Sequence, residues 1–248
     1  MTIETAEPRT YEIEGQTVTM PLVVGRADIA VATYLVNASK AQELLPGPEL
    51  DVVELMPGRA LLTVSCVDYV ETDLGRYNEI SLSFFVRERG QQPTIPYVGS
   101  LADLVRGRLP TYIHRLPVTT ILSREAGCQI WGFPKVVNEI RFRTKGDRYQ
   151  CAWDADGKRV FRFSVRRGGN RTMPDSELAT YSYIDGVLHS TRFVQGVAEM
   201  GMRLGGAKIE LGDHPIADEL RGLGLPKGAL MSMWLGAMHG AFDGPEKV

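Results

Sequence analysis

Alternation of apolar and polar positions with a period of two recurs along most of the chain, and it predicts a protein built from strands. The clearest run is residues 79–87: Ile80, Leu82, Phe84 and Val86 take one side, and Glu79, Ser81, Ser83, Phe85 and Arg87 the other. Residues 17–24 alternate loosely around Pro21 and read as an edge strand. Residues 30–36, rich in β-branched and aromatic side chains, read as another strand, and residues 50–55 and 60–70 as two more joined at Pro57-Gly58. Further strands are expected over 136–144, 149–154 and 159–167, the last two turning at Asp154-Ala155-Asp156-Gly157. Residues 181–184 and 187–197 form a hairpin pattern around Asp185-Gly186. Helical signals are few. Ser39-Lys40-Ala41-Gln42 has a capping-box pattern opening a short helix that Pro46 stops. Leu101, Leu104 and Val105 recur at helical spacing behind Gly99-Ser100, and residues 215–220 suit a turn or two of helix. The Met- and Trp-rich residues 229–242 fit either a buried strand or an oligomer contact. Many short strands with few helices predict an α+β, mainly β fold: an antiparallel barrel or double sheet enclosing a cavity, in a single domain over residues 1–248.

Composition narrows the functional classes. A formal net charge of −2 gives no reason to expect nucleic acid or an anionic membrane as a partner. Cys66, Cys128 and Cys151 lack CxxC spacing and read as reduced thiols, and no metal site is expected. The polar, acidic start is unlike a signal peptide and no apolar run is long enough for a membrane helix, so a cytoplasmic protein is expected. Arg159, Arg162, Arg166, Arg167 and Arg171 fit a phosphate-binding patch, but Arg162 and Arg166 share one strand face opposite Phe161, Phe163 and Val165, which suits a solvated sheet face. Gly205-Gly206 and Gly222-Leu223-Gly224 lack the context of a dinucleotide fingerprint, and nothing points to a flavin or nicotinamide.

One stretch carries unusual chemistry. Lys135 follows Trp131-Gly132-Phe133-Pro134 and precedes Val136-Val137, at the mouth of an expected strand. Proline stiffens the backbone there, and apolar neighbours disfavour the charged form of an amine. A neutral lysine condenses with a ketone to a Schiff base, whereas a lysine snorkelling to solvent does nothing of the kind. Glu79 likewise has two readings, an acid or base if its face lines a cavity and a surface carboxylate if it meets water.

Gly132-Phe133-Pro134-Lys135, preceded by Ser123-Arg124-Glu125, resembles the signature of the acetoacetate decarboxylase superfamily. Leu74-Gly75-Arg76-Tyr77-Asn78-Glu79 resembles that family's Leu-Gly-x-Tyr-x-Glu element. The resemblance implies a cone-like β architecture, Lys135 as Schiff-base nucleophile, Glu79 pointing into the site, a small keto acid or ketone as substrate, no cofactor and a homo-oligomer. It further implies that Arg124 and Gln129 bind a carboxylate or carbonyl, with Arg124 alternatively paired to Glu125 as scaffold. Trp131 and Phe133 would wall the lysine, and His114 would lie near the pocket. The chain departs from the family in three places. Val136 stands where the decarboxylase has a second lysine, no acid occupies Thr63-Val64-Ser65, and no arginine occupies Val18-Thr19. The predicted activity is therefore a lyase of unresolved reaction, decarboxylation or aldol and dehydration chemistry. The alternative is a binding protein that uses charged Lys135 as an anchor. A lysine pKa near the reference ~10.4 would mark the binder and one several units lower the nucleophile.

Overall fold

The structure is a computed structural model that describes residues 9–91 and 93–248. Period-two alternation becomes a closed barrel of seven strands. Around the ring they run Tyr77–Glu88, Arg59–Thr72, Leu22–Asn37, Met231–Phe242, Val187–Leu204, Arg171–Ile184 and Thr111–Val118, which closes on Tyr77–Glu88. Strict up-and-down alternation closes only around an even number of strands, so an odd ring needs one parallel contact. It falls between Thr111–Val118 and Arg171–Ile184, where Thr111 pairs with Thr180 and Tyr112 with Tyr181. A four-stranded antiparallel sheet of Glu139–Lys145, Arg148–Ala155, Lys158–Arg166 and Lys208–Leu211 packs against the outside.

The alternation of Tyr77–Glu88 sorts its side chains between two environments. Ile80, Leu82, Phe84 and Val86 join a core with Trp153, Phe161 and Phe163 of the outer sheet. Each such large apolar side chain contributes about 1.5–3 kcal/mol by leaving water. Glu79 and Ser83, on the other face, are buried as well. The polar face of this strand therefore looks into the barrel. The Asp-Gly signals hold: Asp156-Gly157 and Asp185-Gly186 both turn with positive φ, at 50° and 72° and at 51° and 76°. Arg162 and Arg166 are exposed while Phe161, Phe163 and Val165 are buried.

Several expectations are corrected. Residues 17–24 do not form one edge strand, because proline lacks the N–H that a ladder needs. Pro21 separates Gln16–Thr19, paired with Thr10–Ile13, from Leu22–Asn37, which lies inside the barrel sheet and absorbs the separate strand expected at 30–36. The first helix, Ala38–Gln42, is capped by Asn37 and not Ser39, with Asn37 Oδ1 accepting from Lys40 N at 3.1 Å. The strand expected over 136–144 breaks at Asn138. Lys135–Val137 lies parallel to Thr111–Val118, and Glu139–Lys145 crosses to the outer sheet. Residues 229–242 resolve as the strand Met231–Phe242. The inserted helix is Val98–Val105, tied by Arg87 to Asp103 at 2.8 Å. The signature stretch itself is the helix Ile121–Trp131, which alternation does not predict. Among the described residues no helix is long and apolar enough to cross a membrane.

Candidate active site

The helix Ile121–Trp131 opens where Thr120 Oγ1 accepts from Ser123 N and closes at Gly132, whose φ of 65° is left-handed. Gly132 N donates to Cys128 O at 3.2 Å and Phe133 N to Gly127 O at 3.0 Å, the paired bonds of a glycine-terminated helix. A Cβ on Gly132 would stand 2.4 Å from the carbonyl oxygen of Tyr183, so glycine is needed for space as well as for conformation. Pro134 then prevents further winding, and Lys135 N donates to Phe133 O at 2.8 Å. The chain has now doubled back, and the Lys135 side chain lies along the helix that precedes it.

Ser123 and Gly127 are one turn apart and share a helix face. The lysine stem passes over Gly127 so closely that a Cβ there would come within 2.3 Å of Lys135 Cδ. Its Nζ donates to Ser123 Oγ at 3.1 Å and sits 2.9 Å from Glu79 Oε2. The Lys135 and Glu79 side chains are 6% and 9% exposed, so this ion pair has almost no solvent around it. Tyr77 presents its ring 5.3 Å from Nζ and stacks on Tyr69 at 4.5 Å, while Tyr69 Oη donates to Glu79 Oε1 at 3.4 Å. Burial first, and the Glu79 charge second, push both phenols well above their ordinary range. Both therefore stay protonated, as hydrogen-bond donors, at any working pH.

Lys135 and Glu79 line a cavity of about 90 Å³ together with Tyr69, Tyr77, Trp131 and Phe133. Trp131 is fixed by its Nε1, which donates to Asp243 O at 2.8 Å, and it stacks on Phe133 at 6.0 Å. The structure thus brings four of the sequence-derived residues together: Lys135, Glu79, Trp131 and Phe133. It does not bring the other three to the cavity. Arg124 and Gln129 occupy the solvent side of the helix, where Arg124 pairs with Glu125 and Gln129 Nε2 donates to Glu125 Oε2 at 3.0 Å. At 100° per residue they are rotated away from the Ser123–Gly127 face, so nearness in sequence to the lysine is not nearness in space. His114 Nε2 lies 2.9 Å from Glu219 Oε1, and Arg115 binds the same carboxylate from the outside of the barrel. Burial alone would raise the Glu219 carboxyl, but the Arg115 guanidinium and His114 hold it down to about 2. Val136, at the position of the decarboxylase's second lysine, is 50% exposed and turned away from the cavity, as strand alternation requires. Sequence reasoning missed Ser123, Gly127, Tyr69 and Tyr77. A small residue at each of two positions one turn apart, just upstream of the lysine, was the available signal for the first two.

The acetoacetate decarboxylase family profile matches residues 7–241, and the chain belongs to that family. Similar solved structures include acetoacetate decarboxylase from Legionella pneumophila, at 15% identity and a TM-score of 0.66, covering 92% of this chain and 87% of that one. The enduracididine biosynthesis enzyme MppR, in complex with pyruvate, aligns at 16% identity and a TM-score of 0.65 over 98% of both chains. An acetoacetate decarboxylase-like enzyme from Sphingomonas wittichii RW1 aligns at 17% identity and a TM-score of 0.57, covering 94% of this chain and 96% of that one. These likenesses establish a shared fold. No curated protein sequence matches the chain. Family membership supports an enzyme over a bare binding module.

Proposed function

We propose that this protein is a Schiff-base-forming lyase in which Lys135 is the nucleophile and Glu79 the proton carrier, acting on a small keto acid or ketone. The observation that carries the reading is the Lys135–Glu79 contact of 2.9 Å on the wall of an apolar cavity, with both side chains nearly dry. On substrate entry the ammonium proton passes to Glu79, and the free amine adds to the carbonyl carbon. The carbinolamine oxygen then leaves as water with the proton from Glu79, so charge balances and an iminium remains. The iminium draws electrons from the adjacent bond. Carbon dioxide can leave a β-keto acid through it, or Glu79 can take an α-proton to form an enamine for aldol or dehydration chemistry. Ser123 Oγ, 3.1 Å from Nζ, aims the amine. The reading extends to a cytoplasmic homo-oligomer that needs no cofactor, which gel filtration and activity of metal-stripped protein would check.

A charged anchor for an anionic ligand is less well supported, because the Lys135 charge is already matched by Glu79. The decisive experiment is reductive trapping. Incubation with pyruvate, acetoacetate or a larger keto acid and then a hydride donor should leave a reduced adduct on Lys135, mapped by mass spectrometry and absent from Lys135→Ala. Lys135 unmodified by every carbonyl compound tried would sink the Schiff-base reading.

A further inference from the structure

The outer sheet is more positively charged than its packing requires. Its strands turn Ile140, Cys151, Trp153, Phe161 and Phe163 to the core, and alternation sends the intervening residues to solvent. A face in water must be polar, and any balanced mixture of charges would serve. The mixture here is one-sided. A depression of about 640 Å³ on this face is bordered by six cations, Arg141, Arg143, Arg148, Arg159, Arg162 and Lys208, against one carboxylate, Glu210. The whole chain is formally −2, so this concentration of cations is local and not a general property of the surface.

The strand register sets the cations around an uncharged floor. Arg141, Ala152, Arg162 and Glu210 stand side by side across the four strands, and Arg143, Gln150, Ser164 and Lys208 form the next row. Arg148 and Arg159 flank the two rows along the strand direction. At about 4.8 Å between strands, the backbones of Arg141 and Arg162 are about 10 Å apart and those of Arg143 and Lys208 about 14 Å. Only two of the six are neutralised within the face: Arg141 and Arg159 share Asp154, and Arg141 also meets Glu139 at 3.2 Å. Among the described residues, Arg143, Arg148, Arg162 and Lys208 form no ion pair. Glu210 is unpaired as well, and even turned onto Arg162 it would leave three cations unmatched. Two of those three are already oriented by neutral partners. Arg143 Nε donates to Gln150 Oε1 at 2.8 Å, while Arg148 donates from Nε to Ser164 Oγ at 3.0 Å and from Nη2 to Ser164 O at 2.7 Å. Their side-chain freedom is reduced, and their remaining N–H donors stay available.

Clustered guanidinium groups held by neutral bonds suit an anion of several charges, and their planar forks match phosphate oxygens two at a time. Nucleic acid bases would find no ring to stack on, because Phe142 and Phe163, at the border of the depression, pack on the core side. We propose that this face is a binding site for a compact polyphosphate, separate from the cavity at Lys135. The test is isothermal titration calorimetry of the full chain with inorganic tripolyphosphate, with a short oligoglutamate and a single-stranded oligonucleotide titrated alongside. Saturable binding of tripolyphosphate that weakens as salt is raised is expected. Arg143→Gln combined with Arg162→Gln should weaken it at least tenfold, whereas Glu210→Gln should tighten it at least twofold by removing the competing carboxylate. All three residues are exposed, so thermal unfolding and reductive trapping at Lys135 should stay as in the wild type. No saturable binding, or binding unchanged in the double variant, would overturn the proposal. Tighter binding of the oligoglutamate or the oligonucleotide would overturn the choice of ligand in favour of an acidic protein or a nucleic acid.

Discussion

Two carboxylate–cation contacts sit on opposite sides of the same barrel wall, and they are built to different ends. Inside, Glu79 and Lys135 meet at 2.9 Å with side chains 9% and 6% exposed. Outside, Glu219 gathers Arg115 and His114, with 20% of Glu219 and 34% of Arg115 exposed. The outer clamp joins the helix Pro215–Gly222 to the Thr111–Val118 strand and keeps water within reach, so it fixes structure at a smaller desolvation cost than the inner pair. The inner pair gives up its hydration, which is an expensive way to hold two strands together. Its location is better explained by chemistry than by stability.

That contrast breaks most sharply at Lys135. Lys135→Met should abolish trapping and, by stranding Glu79, cost about 3–5 kcal/mol in urea unfolding. Lys135→Met combined with Glu79→Leu should regain most of that stability while remaining inert. A double variant no more stable than either single would mean that the inner pair is structural after all. Gly127→Ala comes next. The added methyl improves helix propensity by about 1 kcal/mol yet collides with the lysine stem, so trapping should fall at least tenfold while unfolding changes by less than about 2 kcal/mol.

The outer clamp predicts a pH effect and no chemistry. Glu219→Gln should cost on the order of 2 kcal/mol at neutral pH without changing trapping. Because the folded Glu219 is held down to about 2 against an ordinary 4.5, its contribution is complete above pH 4.5. It fades as pH falls toward 2, so the wild-type and variant curves should converge there. A constant gap down to pH 2 would contradict the assignment. The smallest effect is expected at Arg124→Ala, an exposed pair whose loss should shift stability by less than about 1 kcal/mol and leave trapping unchanged.

Legibility in the sequence followed the same division between local rules and tertiary ones. The run from Glu79 to Arg87 showed its two faces because period-two burial leaves a direct trace, and the Asp-Gly turns announced themselves through the φ > 0 positions they serve. Lys135 and Glu79 were found as a pair only through family resemblance, since no local rule joins residues so far apart. The helix carrying Ser123 and Gly127 stayed hidden because the small residues that make room for the lysine interrupt its apolar stripe. Gln129 and His114 were misplaced for the opposite reason: they neighbour functional residues in the chain while the helix turn, or the strand, sends them to the other side, and Arg124 takes the alternative role expected of it, the pair with Glu125.

The parallel contact between Thr111–Val118 and Arg171–Ile184 has a dynamic consequence. Every other junction in the ring is antiparallel and most run for many residues, but this one is held by two paired positions. Thr180 belongs both to that seam and to the cavity lining. Breathing of the barrel is therefore expected to begin there, with the amides of Thr111, Tyr112, Thr180 and Tyr181 taking up solvent deuterium before those of the Leu22–Asn37 and Arg59–Thr72 strands. The odd strand count thereby leaves the barrel one short seam, and it lies beside the cavity.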